Sequence, residues 1–92
     1  MTNYEWNTRF TTEFIDQFGT KIMFNPLHTK TEGSMITTRA NGQSIGGTYN
    51  LREENGNFYL GWYGTEFLFR PNEKGFDLIS GETVSYSFTR IE

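Results

Sequence analysis

Apolar and polar residues alternate with a period of two along nearly the whole chain, and helical spacing is almost absent. From Trp6 to Asp16, Trp6, Phe10 and Phe14 fall on one face while Asn7, Arg9, Thr11 and Glu13 fall on the other. Phe18-Gly19 turns the chain. Ile22 and Phe24 then point inward, and Pro26 is expected to end that strand by removing a ladder donor. "HTKTEG" reads as a polar loop and "SMITTRA" as a weaker strand. Asn41-Gly42 is the signal for a two-residue hairpin turn in which both central residues need φ > 0. Ile45, Gly47, Tyr49 and Leu51 follow at alternate positions. Asn55-Gly56 marks a second such turn, and Phe58, Leu60 and Trp62 form the next inward row. "YGTE" reverses the chain into Phe67 and Phe69, and "RPNEKG" into Phe76 and Leu78. Ser80-Gly81-Glu82 turns into Val84, Tyr86, Phe88 and Arg90.

Eight short strands with hairpin-length connections predict an all-β chain, an eight-stranded antiparallel up-and-down meander closing into a small barrel. The 92 residues suffice for one domain spanning residues 1–92. The glycine-rich stretch Asn41–Asn57 fits this meander and not a phosphate cradle. A P-loop needs G-x-x-x-x-G-K-[ST] opening a helix, whereas Gly46-Gly47 leads into Thr48-Tyr49 with no lysine. Gly46-Gly47 reads as a bulge or kink that lets the sheet curl.

Composition adds little chemistry. One Ala against thirteen Thr and ten Gly disfavours helices, and the 17% aromatic content argues against disorder. Eight basic residues, scattered singly against eleven acidic ones, give a net charge of −3, so nucleic acid is not an expected partner. No apolar run reaches the ~20 residues that span a bilayer, and the opening residues lack a signal-peptide pattern. The absence of Cys removes thiol chemistry and suits a cytoplasmic location. His28, the single histidine, lies in the predicted polar loop, and the carboxylates fall mainly on turns and the outward register, with Asp16 at a strand end. Neither a nucleophile–base pair, nor paired acids, nor a metal-ligand spacing emerges, so no enzyme, metal or cofactor is expected.

Two ends of the chain point to a family. Trp6 on the first strand and Arg90 on the last resemble the calycin arrangement of lipocalin-like proteins, as does the run from "GGTYNLREENGN" to "VSYSFTRIE". That resemblance implies that the tryptophan closes one end of the barrel and the arginine packs across it. Here Tyr4-Glu5-Trp6 stands where the family carries Gly-x-Trp. Among Cys-free barrels of this size, the chain is also similar to the staphostatins, which inhibit cysteine peptidases. In those a glycine-containing blocking segment precedes the last strand, the place held here by Ile79, Ser80, Gly81, Glu82 and Thr83.

An eight-stranded barrel is filled by its own side chains or holds one small ligand, and an inward face this aromatic favours filling. Two outward apolar spots remain: Met23 with Met35 or Ile36, and Tyr59 with Tyr63 and Leu68. The expected function is therefore a non-enzymatic binding protein that engages another protein through its loops, in the manner of an inhibitor. The candidate contact residues are Ile79 to Thr83, Tyr59 and Tyr63. The alternative is a carrier of a small hydrophobic ligand in the barrel mouth. A monomer or weak dimer is expected.

Overall fold

A computed structural model describes the backbone of residues 10–29 and 32–91, and the side chains of these except 26–29. The strands are β1 (Glu13–Ile15), β2 (Lys21–Thr29), β3 (Glu32–Thr38), β4 (Ser44–Glu54), β5 (Asn57–Trp62), β6 (Thr65–Pro71), β7 (Gly75–Ser80) and β8 (Thr83–Arg90). Each pairs antiparallel with the next, and β8 returns to β1, so the sheet closes as an up-and-down barrel in chain order. The closing seam is brief. Phe14 pairs with Arg90 and Ile15 with Thr89, and the Ile91 amide donates to the Glu13 carbonyl at 2.9 Å.

Alternation puts one side chain of every two inside, and phenylalanine dominates there. The Phe76 ring is the hub: its centroid lies 4.8 Å from Phe69, 5.0 Å from Phe14 and from Phe88, 5.7 Å from Phe24 and 6.0 Å from Phe10. All six rings are at most 1% exposed, so the interior is packed rather than cup-like. Each such burial contributes roughly 1.5–3 kcal/mol, which a small Cys-free domain needs. Gly75 makes room for this packing, because a Cβ there would stand 2.1 Å from the Phe88 carbonyl oxygen.

Several local expectations are corrected. Pro26 does not end β2: it pairs with Gly33, and the strand runs on through a register irregularity to Thr29. His28 therefore lies on a strand rather than in a loop. Gly46 and Gly47 pair regularly with Ile36 and Met35, so they form no bulge. Met35 faces the core, and it is Ile36 that meets Met23 on the outside. At Asn41-Gly42 only Gly42 has positive φ; the Arg39 amide donates to the Gln43 carbonyl and the Gly42 amide to the Arg39 carbonyl. This is a type I turn with a glycine bulge, the three-residue hairpin solution.

Val84 was expected inside and is 48% exposed. Leu78 pairs with Tyr86 but Ile79 with Val84, so β8 carries one extra residue, Ser85, and the bulge reverses which face Val84 presents. Asp16, expected to be a solvated charge, is only 7% exposed. Its Oδ1 accepts from the Phe18 amide at 2.9 Å and the Thr20 amide at 2.8 Å, an Asx turn that stitches the β1–β2 hairpin from within. Trp6 lies outside the described residues, and so does its expected contact with Arg90. The Arg90 guanidinium is placed over Phe14, 5.9 Å from the ring centroid.

Candidate partner-binding end of the barrel

The meander brings four hairpin turns to one end of the barrel: Asp16–Thr20, Arg39–Gln43, Tyr63–Gly64 and Gly81–Glu82. The β1–β2 turn repeats the Arg39–Gln43 solution, with Asp16 donating to Thr20, Gly19 donating to Asp16, and Gly19 at φ 85°. Ser80 pairs with Thr83 around Gly81-Glu82, and Gly81 takes φ 63°, which accounts for a glycine at that position.

The β5–β6 turn is unusual in its residue rather than its shape. Tyr63 and Gly64 have φ values of 51° and 81°, and Asn55 and Gly56 at the opposite end have 52° and 81°. One backbone geometry thus carries the favoured asparagine in one turn and a tyrosine in the other. Left-handed φ is rare for a bulky residue and disfavoured by roughly 1–2 kcal/mol. The Tyr63 ring folds back over Gly47, and its hydroxyl lies 3.1 Å from both Thr37 Oγ1 and the Ile45 carbonyl oxygen. The indole nitrogen of Trp62 donates to the same Thr37 oxygen at 3.4 Å. These bonds offset part of the turn's strain, yet Tyr63 remains 47% exposed.

Around it the rim is aromatic. Tyr86 packs edge-on against Trp62 at 5.3 Å, Phe67 at 5.8 Å and Phe18 at 6.2 Å. Phe18, in the β1–β2 turn, is 64% exposed. A shallow depression of about 210 Å³ is lined by Trp62, Tyr63, Thr65, Phe67 and Tyr86.

The candidate contact residues divide in two. Tyr63 and the exposed Ser80, Gly81, Glu82 and Thr83 stand on hairpins of the same barrel end. Ile79 is buried, on the outward register and outside the core cluster, between its partners Leu68 and Val84. Tyr59 lies partway along the outer wall, opposite Arg52, whose guanidinium sits 4.4 Å over its ring. Arg52 also bonds Glu66 at 2.8 Å and Glu54, and Arg52 holds the Glu66 carboxyl below its ordinary range. Phe18 and Gln17 were not singled out from the sequence. The available signal was a large apolar residue directly before the turn glycine, Gly19.

Gln17 completes the seam in an unusual way. The β1–β8 ladder, continued by two residues beyond Ile15–Thr89, would set Gln17 against Ser87. The chain has already turned at Asp16, and the Gln17 side chain takes the backbone's place. Its Oε1 accepts from the Ser87 amide at 2.9 Å, and its Nε2 donates to the Ser85 carbonyl at 3.3 Å.

Among the described residues there is no group of three or more His, Cys, Asp or Glu side chains placed to hold a metal ion. No described helix is long and apolar enough to cross a membrane. No family model, curated protein or solved structure matches the chain.

Proposed function

We propose that the chain is a non-enzymatic binding module that engages another protein through the hairpin end of its barrel. The observation that carries this is the tyrosine in the β5–β6 turn. Asn55 holds the same backbone conformation at the other end of the barrel without strain, so Tyr63 is not there for the turn's sake. What it adds is a half-exposed ring that packs against Trp62 and shares a depression with Phe67 and Tyr86. Exposed aromatics on a rigid scaffold are the usual anchors of protein contacts.

The reading extends to the lipocalin-like kinship and to peptidase inhibition through Ser80–Thr83. The closed eight-stranded order and the exposed hairpin are compatible with both. The test uses the full chain as bait in a lysate of its own source, beside Tyr63→Asn, Phe18→Ala and, as a control on the far end, Arg70→Ala. A protein retained by wild type and control but lost by both rim variants supports the proposal. An identical catch on all four baits overturns it. For the inhibitor version, loss of papain-like peptidase inhibition in Gly81→Arg is the expected result, and a wild type that slows no such peptidase ends it.

A second reading is favoured by the depression over Trp62, Phe67 and Tyr86, which could take a small hydrophobic ligand at the mouth. Because the interior is packed, that ligand would sit on the rim rather than inside. Saturable quenching of Trp62 fluorescence by fatty acids or retinoids, lost in Phe67→Ala, is its signature.

A further inference from the structure

We propose that the edge of β8 beside the β1–β2 turn accepts an extended segment of a partner protein, which displaces the Gln17 carboxamide and pairs antiparallel at Ser85 and Ser87. This rests on the reading that the hairpin end binds a protein, and it names the mode of binding. β8 runs from Thr83 to Arg90, but among the described residues β1 covers only Glu13–Ile15, so β8 outruns this neighbour towards the hairpin end. An uncovered strand edge offers amide donors and carbonyl acceptors to any extended chain, and folded proteins plug such edges. The plug here is a primary amide that caps the Ser87 amide and the Ser85 carbonyl, two edge groups that an added antiparallel strand would bond through two of its own alternate residues.

The plug is also weak. Both of its hydrogen bonds are exposed, one is long at 3.3 Å, and a peptide backbone replaces them like for like. Strand addition of this kind takes affinity from main-chain bonds and selectivity from flanking side-chain contacts. Those flanks are present as exposed apolar groups: Phe18, packed edge-on against Tyr86, and Val84, turned outward by the bulge. An apolar side chain on the incoming strand would rest against them.

A phage-displayed library of random linear 12-residue peptides, selected on the full-length chain, supplies the probe. The best peptide is then synthesised, together with versions N-methylated at each position in turn. Binding is expected to vanish on N-methylation at alternate residues and to perturb the Ser85 and Ser87 amide resonances. Gln17→Ala, which removes the internal competitor, should bind the peptide roughly three- to tenfold more tightly. Gln17→Glu keeps the acceptor for Ser87 but loses the donor to Ser85, so it should also bind more tightly and guards against misfolding of the alanine variant. Peptides that bind at Tyr63 and Trp62, with no alternating N-methyl pattern and no gain in either Gln17 variant, overturn strand addition and leave the binding end intact. Failure to enrich any peptide, or perturbation confined to the opposite end of the barrel, overturns both.

Discussion

A Cβ placed on Gly47 would stand 3.0 Å from Cε1 of Tyr63, so the bare backbone of β4 is the floor on which the turn tyrosine rests. The two residues should therefore be energetically coupled. Alanine at position 47 alone gains strand propensity but pushes against a ring whose hydroxyl is tied to Thr37 and Ile45. In the wild type Gly47→Ala is expected to lower stability by about 1 kcal/mol, and in a Tyr63→Asn background to be neutral or stabilising. Tyr63→Asn by itself exchanges hydrogen bonds for an unstrained turn and should shift stability by less than about 1 kcal/mol. Denaturant midpoints of the four proteins give the coupling directly. Additive changes would separate the ring from Gly47 and return the tyrosine to the solvent.

Phe76 touches five other phenylalanines, so its truncation opens a cavity shared by the whole interior. Phe76→Ala is expected to cost about 3–5 kcal/mol, most of the stability of a domain this size, and to abolish the cooperative transition. Phe18→Ala, on the exposed turn, should cost under about 0.5 kcal/mol. Urea unfolding followed by Trp fluorescence distinguishes them, and a cooperative Phe76→Ala protein of near wild-type stability would contradict the packed interior.

The architecture was legible because period-two alternation and turn residues are local, and most of the inward rows read from them face the core. What escaped depended on partners distant in sequence. The bulge at Ser85 is set by how β8 meets β7, so Val84 kept its alternation on paper while its side changed in space. Gly47 looked like a kink because nothing in its own strand reveals that Tyr63, sixteen residues on, lies over it. Pro26 tolerates its place on β2 through an irregular register that its sequence neighbours do not announce. Of the candidate residues, Tyr63 was named from its outward register beside Tyr59 and Leu68, and Gly81 from its hairpin signal. The structure puts both on turns at one end of the barrel. Gln17 was not legible, since a polar residue in a turn carries no sign that its side chain will stand in for a strand.

Arg90 lies over Phe14 at the seam where the barrel closes, so its guanidinium and stem cover a core ring at the point of weakest pairing. Arg90→Ala is expected to lower stability by about 1–2 kcal/mol, and Arg70→Ala, on an exposed position of β6, by under about 0.5 kcal/mol. Equal denaturation midpoints for the two variants would reduce Arg90 to an ordinary surface charge.

Asp16 supports the turn that carries Gln17 and Phe18 through a single oxygen, Oδ1, while Oδ2 is buried with no hydrogen-bond partner among the described residues. Asp16→Asn keeps the Oδ1 acceptor and should therefore be tolerated within about 0.5 kcal/mol, whereas Asp16→Ala removes both bonds and should cost about 1–2 kcal/mol. Hydrogen exchange at the Phe18 and Thr20 amides provides a local readout: protection should persist in the asparagine variant and vanish in the alanine variant. Equal loss in both would mean that the second oxygen, not the first, holds the turn.

The Arg52–Glu66 pair on the outer wall gives the barrel a small pH dependence whose sign follows from the carboxylate. Hydrogen bonding to Arg52 lowers the Glu66 pKa from its ordinary value of 4.5. A carboxyl with a depressed folded-state pKa adds stability that is present above the unfolded value and is lost as pH falls through the folded one. The stability difference between wild type and Arg52→Gln should therefore be constant near neutrality and shrink as the solution is acidified below 4.5. Because both partners are solvent-exposed, the difference should also shrink with added salt. Carboxyl carbon chemical shifts of Glu66 against pH test the cause: its midpoint should rise towards the ordinary value in Arg52→Gln. A midpoint that is the same in both proteins would dissolve the pair as an energetic unit, leaving Arg52 to act only through its stacking on Tyr59.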